Sequence, residues 1–202
     1  MNRVKSFAAA AIQHRLSLPR KIYMNLSPQT KPFTWVRFTW DLMKTPIVLS
    51  PLPEHYQIAR ATTKDAVALR TVFSSSFTLD PSWSPAIGEV MQKVQSWLDA
   101  AFANDNSACF ALRHGTRIIG ATVLSLDPNI DNHLAPGPCV LMEYRNRGFG
   151  THLLESSFDF LRQAGLSRVK GIARAAAPVA KFLYPKFGGV ALPIDIDALV
   201  AA

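Results

Sequence analysis

The sequence predicts an α/β (α+β) domain, a mixed central sheet flanked by helices, and three observations carry that expectation. From residue 55 onward, strand-like and helix-like runs follow in the order β-α-α-β-β-β-α-β-α-β. One strand runs into a turn holding two glycines, Gly148 and Gly150, that opens a helix. Finally, 49% of the residues are apolar and 18% charged, the balance of a chain that buries a core. No stretch nears the roughly 18 unbroken apolar residues of a membrane span.

Each element has a local reason. Tyr56–Ala61 alternates as a strand does, and Thr62 and Thr63 are N-cap candidates for a helix carrying Ala66, Leu69, Val72 and Phe73 to about Ser76. Pro81 and Pro85 break the chain. Ile87, Val90, Met91, Val94, Trp97, Leu98 and Phe102 fall on one face of a second helix, which Asn104-Asp105-Asn106 ends. A hairpin follows, Ala108–Leu112 and Ile118–Leu124 around His114-Gly115-Thr116. Beyond the polar loop Asp127–Gly137, Cys139–Met142 reads as a short strand. A helix from about Thr151 to Ala164 is capped by Gly165. Val169–Arg174 is a strand, Pro178 starts a last helix that Gly188-Gly189 ends, and Ala191–Ile196 supplies a final strand.

The net charge of +8 suggests a nucleic-acid partner until it is located. Residues 1–50 hold eight Lys/Arg and one acid, whereas residues 51–202 hold fourteen Lys/Arg and thirteen acids, so the basicity belongs to an N-terminal arm. The organisation expected is a basic arm at 1–31, an aromatic strand-like segment and linker at 32–54, and the domain at 55–202. Residues 1–23 are acid-free, with Arg3, Lys5, Arg15, Arg20 and Lys21, a composition shared by transit peptides. A disordered arm, an amphipathic helix and a translation start at Met24 stay open beside that reading. Residues 33–40, with two Trp and two Phe, are expected to pack onto the domain as an extra strand, each buried aromatic contributing roughly 1.5–3 kcal/mol. Cys109 and Cys139 show no metal-ligand spacing and read as buried thiols of a reduced, cytoplasmic protein, with a disulfide left open.

The turn carries the chemistry. The first N–H groups of a helix lack partners and its dipole adds about half a positive charge there, so such a turn binds anions. Gly148 and Gly150 let the backbone approach a phosphate, with Arg145, Arg147 and Thr151 in reach. The dinucleotide form fails, because Leu153 stands at the third glycine position.

Tyr144-Arg145-Asn146-Arg147-Gly148-Phe149-Gly150-Thr151 closely resembles the acetyl-CoA signature of the GNAT superfamily of N-acetyltransferases, R/Q-x-x-G-x-G/A. Ala180–Gly188 resembles the family's last helix, A-x-x-L/F-Y-x-K-x-G, and the resemblance runs from about Gln57 to the end. It implies the GNAT acyl-CoA acyltransferase fold. It also implies that the backbone of Cys139, Val140, Leu141 and Met142 holds the pantetheine and acetyl carbonyl of acetyl-CoA. The turn from Arg145 through Asn146, Arg147, Gly148, Phe149, Gly150 and Thr151 would hold the pyrophosphate. Tyr184 matches the family's general acid, with a Tyr packed under the sheet as the other reading; no metal is implied.

No base stands out. Glu143, Asp131, His133 and Glu89 are candidates by location only; Glu143 is expected to face solvent and His133, in a loop, to be solvated. Met142, Ala177 and Gly189 depart from the family's usual Pro, Asn and Phe. The family also continues through two strands after the last helix where this sequence offers one, so Thr34–Trp40 is expected to fill the remaining place, within the chain or exchanged between chains. The activity implied is direct acetyl transfer from acetyl-CoA to the primary amine of a small molecule or peptide. Asp80, Glu89, Asp127 and Asp131 lie in segments that would shape its pocket. The alternative is a GNAT-fold module that binds or senses acyl-CoA with impaired catalysis. A third reading, an arm that binds nucleic acid or an anionic membrane, predicts affinity that falls steeply with salt. No nucleic-acid or membrane partner is expected, and a homodimer stays open.

Overall fold

The computed structural model describes residues 34–80 and 87–194. The basic arm, Pro81, Pro85 and the end of the last expected strand lie outside the described residues. The strands are β1 (Trp35–Asp41), β2 (Tyr56–Arg60), β3 (Ser107–His114), β4 (Arg117–Ser125), β5 (Cys139–Val140), β6 (Arg168–Arg174) and β7 (Val190–Ile194). The α-helices are α1 (Ala66–Thr78), α2 (Ile87–Ala103) and α3 (Phe149–Gln163).

The strands form two sheets, β2-β3-β4-β5 and β6-β1-β7, and every described ladder is antiparallel. The mixed sheet expected from sequence is therefore split. β6 meets the 126–138 loop, where His133 and Asn132 accept from the main-chain N–H groups of Lys170 and Ile172. Each sheet has its own core. Leu69, Val72 and Phe73 of α1 and Val94 and Leu98 of α2 bury their apolar stripe with the four-stranded sheet. Leu154, Phe158 and Leu161 of α3 and Tyr184 and Phe187 do so with the three-stranded one.

The aromatic segment is the middle strand of its sheet. β1 pairs with β6 on one edge, Phe38 opposite Gly171, and with β7 on the other, Phe38 opposite Ala191. Phe38 and Trp40 alternate into the core, and Trp40 has no exposed surface. Gly189 follows from this, because a Cβ there would lie 2.7 Å from Trp40 Nε1. Trp40 and Phe38 of β1 occupy the space a side chain at position 189 would take.

Three boundaries differ from expectation. The strand expected over Cys139–Met142 pairs only at Cys139–Val140, and Met142–Tyr144 is a 3-10 turn in which Arg145 N donates to Met142 O. α3 begins two residues earlier than expected because Gly148, at φ +83°, serves as its N-cap. At its other end Leu166 N bonds Leu161 O and Gly165 N bonds Arg162 O, the double bond that a left-handed glycine allows. The last helix is a π turn, Val179–Leu183, tightening into a 3-10 turn, Tyr184–Phe187, where Pro185 has no N–H to continue a regular ladder.

Candidate active site

The glycine turn has the geometry of an anion cradle. Thr151 N and His152 N both bond Gly148 O, at 2.9 and 3.2 Å. Among the described residues no acceptor takes the N–H of Phe149 or Gly150, the first two of α3. Gly148 is required by its positive φ. Gly150 is not required by packing, since a Cβ there would find Leu183 Cδ2 at an ordinary 3.5 Å; its absence keeps space open above the helix end.

The charged residues of the turn divide their work. Arg145 donates from Nε to Val140 O at 2.9 Å, tying the turn to β5. Arg147 is exposed and lies over the Tyr144 ring, 5.5 Å from its centroid. Asn146 adopts φ +62° at the bend, and the half-buried Thr151 follows in the first helical turn.

β5 presents a main-chain donor beside the turn. Leu141 N bonds Ile119 O, and Cys139 lies opposite Ala121, so odd-numbered residues face β4. Strand alternation then directs Val140 N–H and C=O away from β4, toward the gap between the sheets. Met142 is half-exposed just beyond. Cys139 opens the strand as a free thiol, and burial pushes it up to about 12; Cys109, also free, is raised equally by burial. Neither is a thiolate nucleophile near neutral pH.

Tyr184 comes in from the last helix and packs beneath the strand that leads into β5. It is 1% exposed, with Phe38 and Trp40 edge-on at 5.2 and 5.0 Å. Its phenol sits where a Cβ on Gly137 would be, and Gly137 lies two residues before Cys139. The tyrosine is thus packed under the sheet and still has its hydroxyl beside the strand that leads into β5. Burial first, and Cys139 second, push its pKa well above the usual phenol value, so the proton stays on Oη.

The base candidates separate. His133, expected to be solvated, is fully buried, because its ring bonds the backbone of β6; burial lowers its pKa below the ordinary 6.5. Asp131 is held by Lys170 Nζ at 2.8 Å and Arg37 Nη1 at 3.2 Å, contacts that lower its pKa, Lys170 foremost. Glu143 faces solvent and pairs with Arg117 at 2.8 Å. Glu89 is exposed on α2 and Asp127 is near the loop surface, while Asp80 lies close enough to the buried Arg174 to favour its charge. Ala177 N bonds Arg174 O at the start of the last helix, offering no polar side chain there. Sequence reasoning missed Asn132, which links loop to sheet, and Gly137, whose place between Pro136 and Pro138 was the only local signal. Among the described residues no three His, Cys, Asp or Glu gather to hold a metal.

Comparison with known proteins places the fold. Residues 68–188 match the model of the Acetyltransferase (GNAT) family. A search of curated proteins finds no match. Among solved structures, a conserved protein of unknown function from Staphylococcus epidermidis superposes with a TM-score of 0.54 at 17% identity, over 80% of this chain and 58% of its own. A protein from Novosphingobium aromaticivorans assigned to the GNAT family gives 0.53 at 16%, over 79% and 60%. AAC(6')-Iy in complex with the bisubstrate analogue CoA-S-monomethyl-acetylneamine gives 0.53 at 15%, over 67% and 90%. The chain therefore spans about three fifths of the first two, and at these identities the likeness concerns the fold. With more than half of its length matched by the family model, the chain belongs to the GNAT family of acetyltransferases.

Proposed function

We propose that this protein is an N-acetyltransferase that moves the acetyl group of acetyl-CoA directly to the primary amine of a small molecule or peptide. The observation that carries the reading is the pair of unpartnered N–H groups at Phe149 and Gly150, with Val140 N–H turned into the adjoining gap. These fit a pyrophosphate at the helix end and a carbonyl of the pantetheine arm or acetyl group along β5. AAC(6')-Iy, a protein of this fold in complex with a bisubstrate analogue of CoA, supports CoA as the class of ligand.

Transfer requires a neutral amine, whose nitrogen forms the new C–N bond as the C–S bond breaks. Tyr184 Oη, kept protonated by burial, donates its proton to the leaving thiolate and is reprotonated from solvent. No carboxylate or imidazole is free at the gap among the described base candidates, so the amine sheds its proton to solvent. The raised cysteine thiols favour direct transfer over a covalent enzyme intermediate.

The first test is the melting temperature with and without acetyl-CoA. At about 100 times its dissociation constant the ligand adds about 2.7 kcal/mol, a rise of several degrees. The rise should vanish when Gly148 and Gly150 are both replaced by bulky residues; no rise at millimolar acetyl-CoA would refute the reading. Ala177, where the resemblance expects an Asn, favours the alternative of a binding module with impaired catalysis. Release of free CoA against a panel of amines decides between the two.

A further inference from the structure

Three consecutive loop residues fasten the loop to β6, largely with side chains. β6 directs the N–H groups of Lys170 and Ile172 toward the 126–138 loop. His133 Nδ1 accepts from Lys170 N at 3.1 Å, and Asn132 Oδ1 accepts from Ile172 N at 3.2 Å and from Leu134 N at 3.2 Å. His133 N donates to Lys170 O at 2.8 Å, so this one residue takes both main-chain groups of Lys170. Asp131 adds the ion pair to the Lys170 side chain and a second to Arg37 of β1. On its other side the same loop is bonded to β4: Ser125 N to His133 O, Ala135 N to Val123 O, and Val123 N to Pro136 O.

Paired strands lie about 4.8 Å apart. His133 N to Lys170 O is a main-chain bond at ladder distance, so the strands part only beyond it, where Asn132 Oδ1 rather than a loop carbonyl accepts from Ile172 N. Just past this seam Val140 N–H is turned away from β4. The arrangement has a cost. With Nδ1 accepting from an amide, the neutral ring carries its proton on Nε2, and Nε2 is buried with no partner among the described residues. A buried unpaired donor is unfavourable, so plain packing does not account for a histidine here.

We propose that Asn132 and His133 are positioning residues that set the width of the acetyl-CoA gap between β5 and β6, by accepting the main-chain N–H groups through which the strands would otherwise close. The proposal rests on the reading that acetyl-CoA occupies this gap. It requires His133 neutral, since a protonated ring cannot accept from Lys170 N. The charged groups facing the ring are Lys170, Asp127 and Asp131.

The test compares acetyl-CoA dissociation constants, measured by calorimetry on the full chain, for acceptor-keeping and acceptor-removing variants. His133→Asn and Asn132→Asp retain an oxygen near the bonding position and should bind within about threefold of wild type. His133→Phe and Asn132→Leu keep bulk but lose the acceptor, and should bind at least tenfold more weakly. Because burial lowers the His133 pKa, wild-type affinity should hold through pH 6.5 and fall only at lower pH, with no such limb in His133→Asn. Acceptor-removing variants that bind like wild type would overturn the proposal. Should they fail to fold, the pH series of wild type against His133→Asn decides, and two curves that coincide down to the acid limit of folding overturn it equally. A wild type that does not bind acetyl-CoA overturns the functional reading and the proposal together, whereas a wild type that binds isolates the failure to the seam.

Discussion

Replacing Trp40 by Ala tests whether the N-terminal strand is part of the core or decoration on it. The indole is fully buried, 5.0 Å from the Phe158 ring and 5.0 Å from Tyr184, with Nε1 donating to Tyr184 O at 3.4 Å. Its neighbours cannot close over the space. Gly171 and Gly189 offer only backbone there, and a Cβ on either would already press on the ring, at 3.1 and 2.7 Å. A large aromatic removed from such a site costs about 3–5 kcal/mol. For a domain of this size each kcal/mol moves the melting temperature by about 2–4 °C, so the expected drop is roughly 6–20 °C. Calorimetric melting with a guanidinium midpoint as a second probe measures it, and Met43→Ala, at a 75% exposed position just past the strand, serves as the control with less than about 0.5 kcal/mol. A Trp40→Ala protein melting within 2 °C of wild type would mean the sheet stands without β1. Deleting residues 1–50 removes Phe38, Trp40 and Leu42 at once and should leave no cooperative transition; an intact, monomeric truncation that binds CoA points to the same refutation.

Gly148→Val should lose measurable acetyl-CoA binding and about 1–2 kcal/mol of stability, because φ +83° suits no β-branched residue; equilibrium binding and melting report the two effects separately. Tyr184→Phe removes only the hydroxyl, so kcat should fall roughly 10²-fold or more while acetyl-CoA affinity stays within threefold; an unchanged kcat would remove Tyr184 from the chemistry. Asp65 bonds Arg113 at 2.8 Å, and that contact, foremost, holds its carboxyl below the ordinary 3.8. A depressed carboxyl stabilises the fold above 3.8 and loses that contribution as pH falls through the folded value, so Asp65→Asn should flatten the stability curve below about pH 4.

What could be read in advance follows the range of the interactions involved. The turn at Arg145–Thr151 was legible because its requirements are local: a positive φ at Gly148 and a helix end with spare N–H groups. The aromatic run declared a strand by composition, but its neighbours, β6 and β7, lie more than 125 residues away. Nothing near residue 35 selects them. His133 shows the limit most clearly. A histidine in a polar loop is ordinarily solvated, and this one is buried because an amide 37 residues on needs an acceptor. Tyr184 is a mixed case: the sequence identified the residue, but its burial depends on Trp40, 144 residues earlier. The division of the strands into two sheets was hidden for the same reason, since it turns on Asn132 and His133 lending side-chain acceptors to the amides of β6.

Trp40 and Gly189 are best understood as one exchange, and a double-mutant cycle can show it. The resemblance places a Phe where Gly189 stands, and the indole of β1 fills that volume instead. In wild type, Gly189→Ala puts a methyl 2.7 Å from Nε1, 2.8 Å from Cε2 of Trp40 and 3.1 Å from Phe38 Cδ1, none of which can withdraw from the middle of a three-stranded sheet. Overpacking of this kind costs about 1–3 kcal/mol. In the Trp40→Ala background two of the three contacts disappear, so the same methyl enters empty space and should be neutral or mildly stabilising. The coupling between the two substitutions should then exceed about 1 kcal/mol, well outside the 0.3–0.5 kcal/mol by which independent sites depart from additivity. Guanidinium unfolding of the four proteins gives the number. Additive effects would show that the glycine answers to something other than the tryptophan, and that a strand from the N-terminus has not taken over the packing of the last helix.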